Sequence, residues 1–212
     1  MNRVVLVVLA VQVVLPTAAY AQRFEVGAAF AFTGGYSAGS ASANEARNPS
    51  TGSTPLTLFQ TDSRVLAAPG IGVHVGVYVT RRMLVSAQFQ YGRTKLRTHV
   101  SGDFEGAVDV EADANVSSYL VGGGAEYQFN AGSWTPFVSG GAGQLRGVPD
   151  GGDVQTAAEI HAGGGVRRAF THGRHPFGFR GEVLATYRSR CVSFDSDHHV
   201  LPAASAALTF RF

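Results

Sequence analysis

Four acidic residues, Glu25, Glu126, Glu159 and Glu182, and four arginines, Arg167, Arg180, Arg188 and Arg211, are spread through a charge-poor chain, with His74 and His161 in similar settings. Carboxylates beside arginines can act as tuned acids and bases, but structural ion pairs perturb them in the same way. A second group, Cys191, Asp195, Asp197, His198 and His199, consists of metal-ligand types. Its spacing matches no established site, and adjacent histidines on an extended chain point apart. Ser193, Asp195 and His198 or His199 are the ingredients of a hydrolase triad, yet they sit in one short stretch with no nucleophile elbow. The glycine runs at 122–124 and 163–165 lack the helix and Lys-Ser/Thr pair of a phosphate loop. They read as strand glycines that allow tight curvature. The reading therefore assigns no catalytic residue, cofactor or metal. It groups the acids, arginines and two histidines by the face they occupy.

That face is set by strands. Apolar residues alternate with period two, not 3.6. Phe24, Val26, Ala28, Phe30 and Phe32 oppose Glu25, Gly27, Ala29, Ala31 and Thr33. Ile71 to Val79 alternate with Gly72, His74, Gly76 and Tyr78, and further runs start near Val85, Tyr119, Ala158, Phe177 and Pro202. The segment Trp134 to Arg146 is Gly-rich, and its facing is ambiguous. Together these make eight strand candidates, each of the length that crosses a bilayer as β-structure, about 9–11 residues. Their connections alternate. Arg81-Arg82, residues 130–133 and residues 171–175 are short. Residues 34–64 read as a long polar loop, residues 93–115 as a hairpin extending beyond the strands, and 148–153 and 189–199 complete the longer set.

Composition agrees with strands. The 212 residues include 27 Gly, and only 15% are charged, against about 25% in an ordinary soluble domain. Glycine disfavours helix by about 1 kcal/mol relative to Ala. A net charge of +2 with no basic run argues against a nucleic-acid partner. Residues 1–21 read as a secretory signal: Arg3, an apolar stretch Val4 to Leu15, Pro16, and Ala19-Tyr20-Ala21 at the cleavage site. Residues 22–212 form the remaining domain. With Cys191 the single cysteine, no internal disulfide can staple it.

Period alone does not separate a soluble sheet from a membrane barrel; the content of the two faces does. One face is Phe, Val, Ile, Tyr, Ala and Gly. The other carries small residues plus Glu25, Glu126, Glu159, Glu182, Arg167, Arg180, Arg188, Arg211, His74 and His161. In lipid the apolar face turns outward and the charged face inward. Eight strands leave an interior filled by side chains, where four acids and four arginines must pair. The interior glycines would make room for the arginines. Tyr78, Tyr91, Tyr119, Tyr127, Phe129, Trp134, Phe177 and Tyr187 lie near strand ends as candidates for interfacial girdles, although Tyr78 falls on the inward face.

The chain ends Ser205-Ala206-Ala207-Leu208-Thr209-Phe210-Arg211-Phe212. This resembles the C-terminal assembly signal of bacterial outer-membrane barrels in Ser205, Phe210 and Phe212, with Ala207 where that pattern usually has Gly. Together with the secretory segment and eight strands, the chain resembles the small OmpA-like and OmpX-like barrels. The resemblance implies an all-β fold: an eight-stranded antiparallel up-and-down transmembrane β-barrel. It also implies residence in the cell outer membrane, contact with outer-membrane lipid, and insertion by the outer-membrane assembly machinery. The role expected is non-enzymatic, structural or surface-exposed, with an extracellular partner meeting residues 34–64 and 94–114. A narrow gated pore, a lipid-modifying barrel enzyme and a soluble secreted lipocalin-like binder remain as alternatives.

Overall fold

The computed structural model describes residues 24–44, 57–103, 106–129, 133–170, 177–189 and 198–212. Ten strands follow one another: β1 (Phe24–Thr33), β2 (Tyr36–Asn44), β3 (Thr57–Val65), β4 (Ala68–Tyr78), β5 (Met83–Ser101), β6 (Val110–Gln128), β7 (Trp134–Pro149), β8 (Gln155–Phe170), β9 (Phe177–Arg188) and β10 (His199–Arg211). Eight of them, β1 and β4 to β10, pair in the cyclic order β1-β4-β5-β6-β7-β8-β9-β10 and return to β1. Every pairing is antiparallel. The closing seam runs from Glu25 opposite Arg211 to Thr33 opposite Ala203. Closure leaves no unpaired edge in the membrane, where each unsatisfied backbone group costs several kcal/mol.

The two faces separate as the alternation requires. Ile71 is 62% exposed and Val183 66%, both pointing away from the axis, while Glu25 is wholly buried inside. This is the reverse of a soluble binding barrel, whose apolar side chains line the interior. Tyr127, Phe129, Trp134, Phe177 and Tyr187 are exposed on the outer wall near strand ends, where amphipathic rings favour the lipid–water boundary; Tyr119 is exposed midway along β6. In β7 the alternation settles once the register is known. Thr135, Phe137 and Leu145 turn inward; Trp134 and Val138 turn outward.

Residues 34–64 differ from the long loop expected. Tyr36–Asn44 and Thr57–Val65 are paired strands, and β3 pairs in turn with the distal part of β5, Gln60 to Val65 against Ser101 to Leu96. Beyond the end of β7, β6 continues to pair with β5 up to Val110 opposite Val100. A four-stranded sheet, β2-β3-β5-β6, therefore stands above the barrel. β5 and β6 have 19 residues each, about 63 Å at roughly 3.3 Å per residue. Crossing the apolar band takes about 9–11 residues of a tilted strand, so about half of each strand projects beyond it.

Candidate functional site

The lumen holds a connected chain of ion pairs. Glu25 on β1 binds Arg167 on β8 and accepts a hydrogen bond from Arg211 Nε at 3.1 Å. Its Oε2 also accepts from the Tyr78 hydroxyl at 3.0 Å, and His74 Nε2 lies 3.4 Å from Oε1. Arg167 reaches on to Glu126 at 3.0 Å. Glu126 then accepts from Arg180 Nε at 3.0 Å, and Arg180 grips Glu182 with two parallel bonds of 2.8 and 2.6 Å. Forked guanidinium–carboxylate pairs of this kind are among the strongest protein hydrogen bonds. Ser205 and Ser139 donate to the two Glu182 oxygens at 2.9 and 3.3 Å, and Gln128 donates to Glu126 at 2.9 Å. Arg188 and Glu159 pair separately at 2.8 Å, with His161 Nδ1 4.0 Å from Glu159. Buried charges are tolerated where partners and hydrogen bonds surround them, and each of the four carboxylates has both.

The structure thus brings together Glu25, Glu126, Glu182, Arg167, Arg180, Arg211 and His74, and sets Glu159, Arg188 and His161 apart as a second cluster. Tyr78, Gln128, Ser139 and Ser205 join the network although no charge marks them in the sequence. Inward parity, shared with His74, Glu126 and Arg211 respectively, was the available signal for Tyr78, Gln128 and Ser205; Ser139 lies where small residues occupy both faces and had none. Tyr78 is accordingly a lumen residue and not a girdle residue.

Two of the interior glycines accommodate histidines rather than arginines. A Cβ on Gly27 would collide with the imidazole of His74, its cross-strand partner. One on Gly141 would lie 2.7 Å from His161 Nε2, again directly opposite. Gly27 and Gly141 open space for the two histidines.

Above the network, a polar cavity of about 60 Å³ lies among His74, Gln88, Glu159, His161, Arg180 and Glu182, room for a handful of waters. A second cavity of about 70 Å³ lies further out, between Tyr36, Leu66, Leu96, Leu120, Leu145 and Arg188.

On the projecting sheet the charges are paired in the open. Arg97 Nε donates to Asp113 at 3.0 Å, and Lys95 reaches the same carboxylate at 3.4 Å. The Arg97 bond, reinforced by Lys95 and the positive charge of both, holds the Asp113 carboxyl below its ordinary value. Of the loop cluster, Cys191, Ser193, Asp195 and Asp197 lie outside the described residues, as do residues 1–21. His198 stacks on Tyr187, and His199 packs at a tilt against Tyr36, at 5.4 and 4.4 Å between ring centroids. Phe210 and Phe212 are exposed at the lower end of the barrel, where Phe212 N–H donates to Phe24 C=O across the seam at 2.9 Å.

Comparison with known proteins agrees with this architecture. Residues 4–194 match the family described as outer membrane protein beta-barrel domain. Neisserial surface protein A shares the fold with a TM-score of 0.50 at 16% identity, covering 89% of this chain and 95% of that one. Outer membrane protein OprG of Pseudomonas aeruginosa gives 0.50 at 12%, covering 90% and 93%. Identities this low show the fold alone. No curated protein sequence matches the chain. A closed eight-stranded barrel with a lipid-facing apolar wall, and a family match spanning most of its length, make this chain a member of the outer membrane protein β-barrel domain family, resident in the outer membrane.

Proposed function

We propose that this barrel is non-enzymatic and acts through its outward-reaching sheet, which meets an extracellular partner, while the ion-paired lumen makes the wall rigid and closed. The observation that carries this reading is the four-stranded extension β2-β3-β5-β6, which continues well past the membrane band. Structured strands present side chains in fixed positions, so less ordering entropy is lost on binding than with a free loop. The surfaces to test are residues 34–64 and 94–114. Phe210 and Phe212 serve in this reading as the signal for the assembly machinery, after removal of residues 1–21.

Cells displaying the full chain would be compared with cells displaying a chain in which both projecting segments are replaced by short turns. The trimmed barrel still inserts and loses attachment to host or abiotic surfaces. Equal attachment by both forms contradicts the proposal. A narrow gated pore is the second reading, favoured by the polar cavity beside Arg180. Opening it would require Arg180 to leave Glu182 or Glu126.

A further inference from the structure

Charge is divided unequally between the two ends of the barrel. Of the acidic residues, Glu25, Glu126, Glu159 and Glu182 face the lumen. All the others fall within 34–64, 93–115, 148–153 and 189–199, the stretches that join strands at the outer end. The connections at the lower end, 79–82, 129–133 and 171–176, contain no acidic residue but hold Arg81, Arg82 and Arg174.

Several basic residues of the outer end lie beside carboxylates, whereas Arg146, exposed on β7, has none among the described residues. Arg93 lies 3.8 Å from Asp150, Arg97 3.0 Å from Asp113, and Arg64 3.4 Å from Asp62. Arg81 and Arg82 are exposed in the turn between β4 and β5, and among the described residues no carboxylate side chain pairs with either.

Arg168 is the most informative member. Its neighbour Arg167 points into the lumen, so strand alternation turns Arg168 to the lipid side. There its guanidinium carbon lies 5.0 Å from the Trp134 ring centroid and 5.1 Å from that of Phe170. Both contacts lie within cation–π range. Phe177 and Phe179 flank them on the next strand, opposite Phe170 and Arg168. No carboxylate side chain binds Arg168 among the described residues. An arginine laid against aromatic rings at the membrane boundary keeps the N–H groups along its edge free, and their fork matches two phosphate oxygens.

We propose that Arg168, seated between Trp134 and Phe170, binds the phosphate of an anionic phospholipid in the periplasmic leaflet, with Arg81 and Arg82 adding to the positive potential of the same rim. The occupant is a lipid because the guanidinium faces the acyl-chain side of the wall at the depth of the aromatic belt. An anionic headgroup is selected because the rim has no negative side chain to share with a zwitterionic headgroup's ammonium. The site would fix the depth and rotation of the barrel in its lower leaflet.

The test is native mass spectrometry of the full chain released from vesicles of phosphatidylethanolamine containing a minority of phosphatidylglycerol. The wild type retains phosphatidylglycerol well above its share of the vesicle. Arg168→Gln lowers that enrichment about fivefold, as expected for about 1 kcal/mol per basic residue at an anionic surface. Arg168→Lys recovers only part of it, and Arg97→Gln at the outer end leaves it unchanged. Excess inorganic phosphate does not displace the lipid. Retention blind to headgroup in the wild type overturns the proposal without any variant. Undiminished enrichment in a folded Arg168→Gln, or displacement by free phosphate, overturns it equally.

Discussion

Glu25 and Arg167 form a buried ion pair across the lumen, from strands β1 and β8 that are separated around the wall by β10 and β9. The pair ties together two staves three positions apart in the ring of eight. Removing Glu25 leaves Arg167 with Glu126 alone and takes the carboxylate from Arg211, at a cost of up to about 3–5 kcal/mol. Glu25→Ala should therefore lower stability by about that amount in denaturant unfolding of the micelle-embedded barrel. Replacing Glu25 and Arg167 together by apolar residues of similar volume should cost far less. A loss in the double variant equal to the sum of the two single losses would show that the pair is not coupled.

Gly27 and His74 face one another across β1 and β4 with no room for a methyl group between them. Gly27→Ala should destabilise the barrel by about 1–3 kcal/mol, the usual range for overpacking. His74→Ala in the same chain should recover most of that loss. A double-mutant cycle measured by unfolding checks it, and simple additivity would contradict the steric account.

Asp113 on the projecting hairpin is held in its charged form chiefly by the Arg97 hydrogen bond. A carboxylate whose folded pKa is depressed contributes stability that is complete above its unfolded pKa, about 3.9. That contribution disappears as pH falls through the lower, folded value. An NMR titration of the Asp113 carboxyl should give a midpoint below about 3.9, moving up in Arg97→Gln. A midpoint at or above the ordinary value would remove the pair from the account.

Phe210 and Phe212 end the last strand on the outer wall. If they carry the assembly signal, Phe212→Ala should lower the amount of heat-modifiable protein in outer-membrane fractions without slowing export. A folded fraction equal to the parent's would assign the terminal aromatic ring to packing alone.

The barrel was legible wherever apolar and polar residues alternate, as in Ile71 to Val79, because a half-buried strand imposes that period on sequence. β2 was not. Tyr36–Asn44 is mostly Ser, Ala, Gly and Asn, and its strand form comes from pairing with β3, which in turn pairs with β5. The facing of β7 was obscured by Ser139-Gly140-Gly141-Ala142-Gly143, where small residues occupy both faces. Inward charges could be identified by parity, but their partners could not. Arg167 finds Glu25 and Glu126 through the curvature and stagger of a closed wall, which no local pattern encodes. The matching of Gly27 to His74 likewise exists only once the register is set.

Planar-bilayer recording decides whether the lumen is sealed. If the chain of ion pairs from Arg211 through Glu25, Arg167, Glu126 and Arg180 to Glu182 closes the lumen, the wild-type barrel carries no steady current at neutral pH, and Arg180→Ala admits at most brief leaks. A steady ohmic conductance through the wild type would contradict a sealed interior and make the protein a pore.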